Sequence, residues 1–302
     1  MSSKKLKLFT MTSKGLEVCK AIFPQFSNVI SQVVVGRDLA LENDFSEEII
    51  KLCEAHGVDC VDRSEFSGPS EGDYIMAISW RWMINHSPEK LIIFHDSLLP
   101  KYRGFSPLVN MLINGEMELG ATVLLGAKRY DRGEIIAQRS LPISYPLKIR
   151  DAIEIVGTLY SELALEVCSQ IAEGNPLVTQ RQDEQKASYS IWRDEEDYFI
   201  DWNDDSRVLK RTIDALGFPF KGARCFLDGQ EEVIIKEAEI VDDLNLELRH
   251  VGKVLEVDDA GMPTVICGSG LLKVQRIESA CDERKPLLPL AKFRTRFTSK
   301  AY

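Results

Sequence analysis

The sequence predicts an α/β fold: a doubly wound, mainly parallel sheet followed by a smaller β domain of barrel-like form. Three observations carry this. Up to residue 176, short apolar and often β-branched runs alternate with amphipathic stretches, the rhythm of a parallel sheet flanked by helices. At Gly174-Asn175-Pro176 a long helical pattern stops, and a polar, aperiodic stretch follows. Beyond residue 220, strand-like segments recur between glycine turns with little helix among them. A chain of 302 residues also exceeds what one core usually holds. The expected division is residues 1–176, a linker at 177–190, and residues 191–302.

Leu6 to Met11 reads as the first strand and Val29 to Val35 as the second. Between them Leu16, Cys19 and Phe23 recur at helical spacing, with Pro24 near the expected stop. Phe45 to His56 is a second helix, striped by Ile49, Leu52 and Cys53 and closed by Gly57. Tyr74 to Ile78 and Leu91 to Phe94 are Ile-rich runs between polar turns, as expected of buried parallel strands. Two more strands, Ala121 to Ala127 and Ile135 to Ile143, meet around Asp131-Arg132-Gly133. Arg150 to Glu173 is a long helix with Ile153, Val156, Leu159, Leu163 and Val167 along one face. Later, Ser206 to Leu216 makes a short helix, and strands follow at Ala223 to Leu227, Val233 to Val241, Gly252 to Val257, Thr264 to Cys267 and Leu271 to Ile277.

Composition narrows the function. With 37 Lys and Arg against 47 Asp and Glu, the net charge is −10, which sets long-range repulsion against polyanions such as tRNA. No apolar run approaches the roughly 18 to 20 residues a membrane span needs, and the start shows no signal-peptide pattern, so a cytoplasmic location is expected. Seven scattered cysteines without a C-x-x-C pair fit neither a disulfide framework nor a zinc site. They read as reduced thiols, and no metal is expected.

The densest chemical signal runs from Phe94 to Pro107, FHDSLLPKYRGFSP. It starts at the carboxyl end of an expected sheet strand, where open α/β sheets place their ligands. Among the four histidines, only His95 emerges from a buried strand into a loop rich in Pro and Gly, and an imidazole there can exchange a proton near neutral pH.

This segment resembles the signature of the folate-dependent formyltransferases, Asn-x-His-x-Ser-Leu-Leu-Pro-x-x-Arg-Gly, and it matches from His95 through Gly104 without a gap. The family's second signature, Asp-x-Gly, is similar to Asp131-Arg132-Gly133, which begins 36 residues after His95, a spacing usual in the family. Ser190-Ile191-Trp192-Arg193 and Ile200-Asp201-Trp202 resemble the start of its C-terminal β domain.

The resemblance implies a Rossmann-like formyltransferase core and transfer of formyl from N10-formyltetrahydrofolate, as co-substrate, to a primary amine. His95 would shuttle the proton from the attacking amine to the departing folate nitrogen, and Asp131 would orient its ring. One position departs from the family: the Asn that supports the oxyanion is Ile93 here. Losing such a donor costs about 100- to 1000-fold in rate, so either activity is weak or another donor substitutes, the candidates being Ser97, a backbone N–H of the loop and His95 itself. For the folate, the family uses a strand end and the backbone before its Asp. The counterparts are Ile78, Ser79, Trp80 and Arg81, with Phe105, and Ala127, Lys128, Arg129 and Tyr130.

Among amine acceptors, initiator methionyl-tRNA conflicts with the acidic clusters at 194–197, 204–205 and 242–243, while the basic end, Lys292, Arg294, Arg296 and Lys300, reads as a solvated terminus. Glycinamide ribonucleotide enzymes of the family are usually one short domain. The first choice is therefore a nucleotide-linked amino sugar, of the kind used in surface polysaccharide synthesis, with nucleic acid disfavoured and a homodimer left open. A folate-binding protein without turnover is the alternative of a different class.

Overall fold

The computed structural model describes every residue except 1–5, 39–40, 42, 69–72, 282–284 and 291. It divides into two compact units, one of Met1–Leu108, Met117–Ile143 and Asp151–Ile191, the other of Val109–Glu116, Ser144–Arg150 and Trp192–Tyr302.

The first unit holds β1 (Leu6–Thr10), α1 (Thr12–Phe26), β2 (Ile30–Val35), α2 (Ser46–His56), β3 (Cys60–Asp62), β4 (Tyr74–Ile78), β5 (Leu91–His95) and the short β6 (Arg103–Gly104). The helix α3 (Pro107–Asn114) starts in it, β7 (Glu118–Leu125) and β8 (Ile135–Pro142) follow, and most of α4 (Ile149–Glu173) and the short β9 (Tyr189–Ser190) complete it. The main sheet runs β3-β2-β1-β4-β5-β7-β8. Strands β1 to β5 are parallel, and β7 is antiparallel to both of its neighbours. From β1 the chain winds outward to β2 and β3, then returns to the other side of β1 at β4. That reversal opens a crevice at the carboxyl ends of β1 and β4, with β5 next in line.

Burial explains the strands. Every residue of β1 is buried, as a strand covered on both faces requires. Gly57, at φ +63°, closes α2 as its position predicts. Pro24 lies near the stop of α1, as expected, two residues before its end at Phe26, while the helix starts earlier than Gly15, at Thr12. So near the end Pro24 forfeits one backbone bond, while the buried Ile22 and Phe23 keep the turn on the sheet. The strand β3 and the helix α3 are too short to show a period in the sequence.

The 177–190 stretch belongs to the first unit. Gln180 exchanges backbone hydrogen bonds with Ile135, and β9 pairs with β6. Its polar side chains form bonds rather than a hydrophobic stripe, which is why its composition reads as a linker.

The second unit holds α5 (Ser206–Leu216), β10 (Ala223–Leu227), β11 (Glu231–Val241), β12 (Val254–Val257), β13 (Pro263–Ile266), β14 (Leu271–Ser279) and β15 (Phe297–Thr298). Asp205 caps α5 by accepting from Arg207 N at 2.8 Å. The sheet order is β12-β13-β14-β11-β10-β15, with antiparallel neighbours throughout. It curls until its edges meet: Val254 N donates to Thr295 O at 3.2 Å and Phe297 N to Gly252 O at 2.7 Å. Trp202 and Phe297 fill the interior with rings 5.2 Å apart. The Lys292, Arg294 and Lys300 side chains of the basic end are exposed, as expected of a solvated terminus, but its backbone is an edge of the barrel. Burial of Phe297 draws it into the barrel as an edge strand, and Arg296 N donates to Asp228 Oδ1.

Among the described residues, no helix is long and apolar enough to cross a membrane.

Candidate active site

The site grows from the end of β5. His95 is the last residue of that strand, 7% exposed, and pairs in register with Thr122 of β7. Its Nε2 lies 2.8 Å from Tyr102 O. A carbonyl only accepts, so Nε2 carries the proton of the neutral ring, an assignment made from the hydrogen-bond partner. The other nitrogen, Nδ1, lies 3.7 Å from Asp131 Oδ1. The two motifs thus meet across one imidazole.

Asp131 is held firmly. Its backbone takes the left-handed conformation at φ +54°, which Asp tolerates better than most residues. Its Oδ2 accepts from Gly104 N at 2.7 Å, and its carbonyl accepts from Gln182 Nε2 at 2.8 Å. The glycines of both motifs are forced by space. A Cβ on Gly133 would stand 1.7 Å from Leu125 O, and one on Gly104, at φ +104°, would stand 2.3 Å from Ser190 O.

Beyond β5 the loop is braced by polar side chains. Ser97, fully buried, donates to Lys101 O at 2.7 Å. Thr122 Oγ1 donates to Ser97 O at 2.6 Å and accepts from Leu99 N and Gln138 Nε2. With its proton engaged, Ser97 braces the turn in this geometry and presents no donor to a ligand. Arg103, 1% exposed, is gripped by Gln182 and Glu184, with both Glu184 oxygens 2.9 Å from its guanidinium.

No sequence signal marks Asp96 as a site residue. Both of its carboxylate oxygens accept from Lys14 Nζ, at 2.6 and 2.5 Å, and Tyr160 OH donates to Oδ1. Burial alone would push the Asp96 carboxyl up, but the Lys14 ammonium and the Tyr160 hydroxyl outweigh it and hold it below the usual carboxylate range. Burial, then the Asp96 charge, pushes the Tyr160 phenol well up. Asp96 occupies a free position of the motif, and Tyr160 lies 64 residues away, so no sequence signal joins them.

The proposed folate residues separate into two kinds. Ile78 is buried in β4, and Trp80 packs edge-on against Phe9 at 5.0 Å. Arg81 is exposed and paired with Asp38 at 3.0 Å. Ser79 Oγ and Trp80 Nε1 are buried without a hydrogen-bond partner, as are Thr10 Oγ1 at the end of β1 and Thr12 Oγ1 at the start of α1. Thr10 pairs in register with Ile78, which directly precedes Ser79 and Trp80. Phe105, Ala127, Lys128, Arg129 and Tyr130, by contrast, are exposed. Ile93 is half-buried two residues before His95, between Ala77 and Leu124 in register, and brings no donor.

Comparison with known proteins agrees with the two motifs. The Formyl transferase family model matches residues 73–154, and the Formyl transferase, C-terminal domain, model matches 193–290. The chain belongs to the formyl transferase family. A methionyl-tRNA formyltransferase of Geobacter sulfurreducens is 32% identical over 203 residues, 67% of this chain and 60% of the relative. One from Lactococcus lactis is 31% identical over 199 residues, 66% of this chain and 60% of the relative. The chain thus spans about 60% of the length of these curated relatives. Among solved structures, WlaRD, a sugar 3N-formyl transferase, superposes with a TM-score of 0.69 at 17% identity over 91% of this chain and 98% of its own. The Helicobacter canadensis N-formyltransferase gives 0.70 at 15% identity over 90% and 98%. HypX from Aquifex aeolicus gives 0.62 at 19% identity over 96% of this chain and 49% of its own. At these identities the likeness is one of fold.

Proposed function

We propose that the protein transfers a formyl group from N10-formyltetrahydrofolate to a primary amine, with a nucleotide-linked amino sugar as the acceptor class. The observation that carries the reading is the meeting of His95 Nδ1 and Asp131 Oδ1 at 3.7 Å beside the sheet's switch point. With Nε2 donating to Tyr102 O, Nδ1 offers the lone pair that takes the proton from the attacking amine. His95 then returns that proton to the departing nitrogen as the carbon–nitrogen bond to the carrier breaks. Asp131 faces the ring while it bears the charge, which makes it a positioning residue.

N10-formyltetrahydrofolate supplies the activated formyl group. The residues at the end of β4 suit it, because Ser79 Oγ and Trp80 Nε1 are buried polar atoms with no bond inside the protein. A flat, polar-edged pterin provides the missing partners. The WlaRD structure is of the protein in the presence of dTDP and 5-N-formyl-THF, and the Helicobacter canadensis enzyme is in complex with folinic acid and dTDP-3-aminofucose. Both are matched over 98% of their own length, which supports a sugar acceptor.

Methionyl-tRNA is the second reading, favoured by the 32% identity to the Geobacter sulfurreducens enzyme. Against it stands the net charge of −10. Incubation with N10-formyltetrahydrofolate and a panel of nucleotide-linked amino sugars, glycinamide ribonucleotide and methionyl-tRNA decides between them. Release of tetrahydrofolate with an amino sugar alone is the expected result. Release with methionyl-tRNA alone replaces the acceptor, and folate binding without release in any mixture replaces the enzyme with a binding protein.

A further inference from the structure

All seven cysteines are free thiols, and burial pushes Cys19, Cys168, Cys225 and Cys267 well above the usual thiol range. Cys53 and Cys60 differ, because they face each other. Cys53 is buried in the last turn of α2, and Cys60, half-buried, opens β3. Between them Gly57 turns the chain at φ +63°, and Val58 N donates to Cys53 O at 2.9 Å, which brings the chain back toward the helix end. The Cys53 S–H donates to the Cys60 sulfur. That bond lowers the Cys60 thiol against burial and the charges of Asp59, Glu54 and Asp62, and it raises the Cys53 thiol. Cys60 pairs in register with Val33 of β2, and β3 is the outer strand of the main sheet, bonded on one flank alone among the described residues.

A half-exposed thiol that favours its thiolate, set against a buried second thiol, is the arrangement of an attacking and a resolving cysteine. We propose that Cys53 and Cys60 form a reversible disulfide when a peroxide reaches Cys60. The Cys60 thiolate attacks one peroxide oxygen, the O–O bond breaks, and a sulfenic acid and hydroxide result. The Cys53 sulfur then attacks the sulfenic sulfur and displaces its oxygen. In sum two thiols lose two electrons and two protons, and one peroxide becomes two waters. With one flank unbonded, β3 can follow the sulfurs as they close to the roughly 2 Å of a disulfide. Exchange with a dithiol returns both thiols. Four strand positions separate β3 from β5, roughly 19 Å at the usual spacing, so the pair takes no part in the His95 chemistry and the proposal does not rest on the formyl-transfer reading.

The test is thiol mapping on the full chain. Reduced protein is treated with hydrogen peroxide, blocked with N-ethylmaleimide and digested with trypsin without reductant. Cleavage after Lys51 and Arg63 leaves both cysteines on one peptide, residues 52–63. That peptide should be lighter by two hydrogens and take up no maleimide, and dithiothreitol should restore both thiols. Before oxidation, limiting maleimide should label Cys60 at least about tenfold faster than Cys53. Cys53→Ser should leave Cys60 as a sulfenic acid that dimedone traps, and Cys60→Ser should leave Cys53 a thiol at the same peroxide dose. An unchanged Tm verifies that each variant folds, and the wild-type mapping decides the matter without them. A peptide 52–63 that keeps both thiols, whether or not the exposed Cys281 is oxidised, overturns the proposal. So does a sulfinic acid at Cys60 with Cys53 still free, a bond from either one to Cys19, or a bond that dithiothreitol fails to open.

Discussion

The carboxyl edge of one sheet treats its polar side chains in two ways. Beyond β5, Ser97, Thr122, Gln138 and Asp96 are bonded to one another, to the backbone or to Lys14 and Tyr160. At the ends of β1 and β4, Thr10, Thr12, Ser79 and Trp80 each bury a polar atom with no hydrogen-bond partner inside the protein. An unmet buried group costs free energy, and a met one fixes geometry. The first region fixes the end of β5 around His95, and the second leaves buried polar atoms unmet, which suits its proposed role in binding.

The comparison breaks most sharply at His95. On the proposed mechanism, with the proton path on the β5 side and folate binding on the β4 side, His95→Ala should lower formyl transfer by about a thousandfold while leaving Tm and folate binding near wild type. Rate assays with folate titration check it, and near-normal turnover would remove His95 from the mechanism.

Asp96→Asn comes next, because it leaves the Lys14 ammonium buried without its counter-charge. The expected loss is about 3 kcal/mol of stability, measured by urea unfolding. The sign with pH follows from the lowered carboxyl. A group held below its unfolded value, about 3.9 for Asp, stabilises the fold above that value and loses the contribution as pH falls through the folded value. Wild type and variant should therefore differ fully at neutral pH and converge in acid. A constant difference down to acid unfolding would mean the carboxylate charge is not the cause.

The sharpest pairing sets Thr122→Val against Thr10→Val, two isosteric changes at fully buried positions of neighbouring regions. Thr122→Val strands Ser97 O, Leu99 N and one Gln138 bond, and should cost about 1–3 kcal/mol. Thr10→Val removes an atom that had no partner, so stability should hold or rise by about 0.5 kcal/mol. Folate or acceptor affinity should fall instead. Equal destabilisation by both would erase the distinction between the two regions.

The smallest effect is expected at Ile93. Ile93→Asn restores the family's amide, but into a half-buried slot between Ala77 and Leu124, so kcat should change by less than about tenfold. A larger rise, with KM constant, would show that no other group supports the oxyanion.

Much of this was legible in the sequence because it is local or periodic. β4, α5 and β10 have the expected bounds, and His95 and Asp131 lie in contiguous motifs. What escaped was long-range or brief. The bond from Tyr160 to Asp96 spans 64 residues, and the bond from Gln182 to Asp131 spans 51. The three-residue β3 and two-residue β15 are too short for a period, and β15 exists because Phe297 fills a barrel whose closure no single stretch reveals. Ser97 illustrates the limit from the other side. Its place in the motif made it a candidate donor, while its hydroxyl turns away to Lys101 O.

Gln182 donates from one amide nitrogen to both Asp131 O and Gly133 O and accepts from the buried Arg103. A protein engineer searching for a site to insert a tag or a cleavage sequence would choose the polar stretch around it, where Arg181 and Lys186 offer side chains 92% and 76% exposed. The insertion would separate the two ends of a strut. In this chain the segment that looks most expendable is the one that keeps Asp131 facing its histidine.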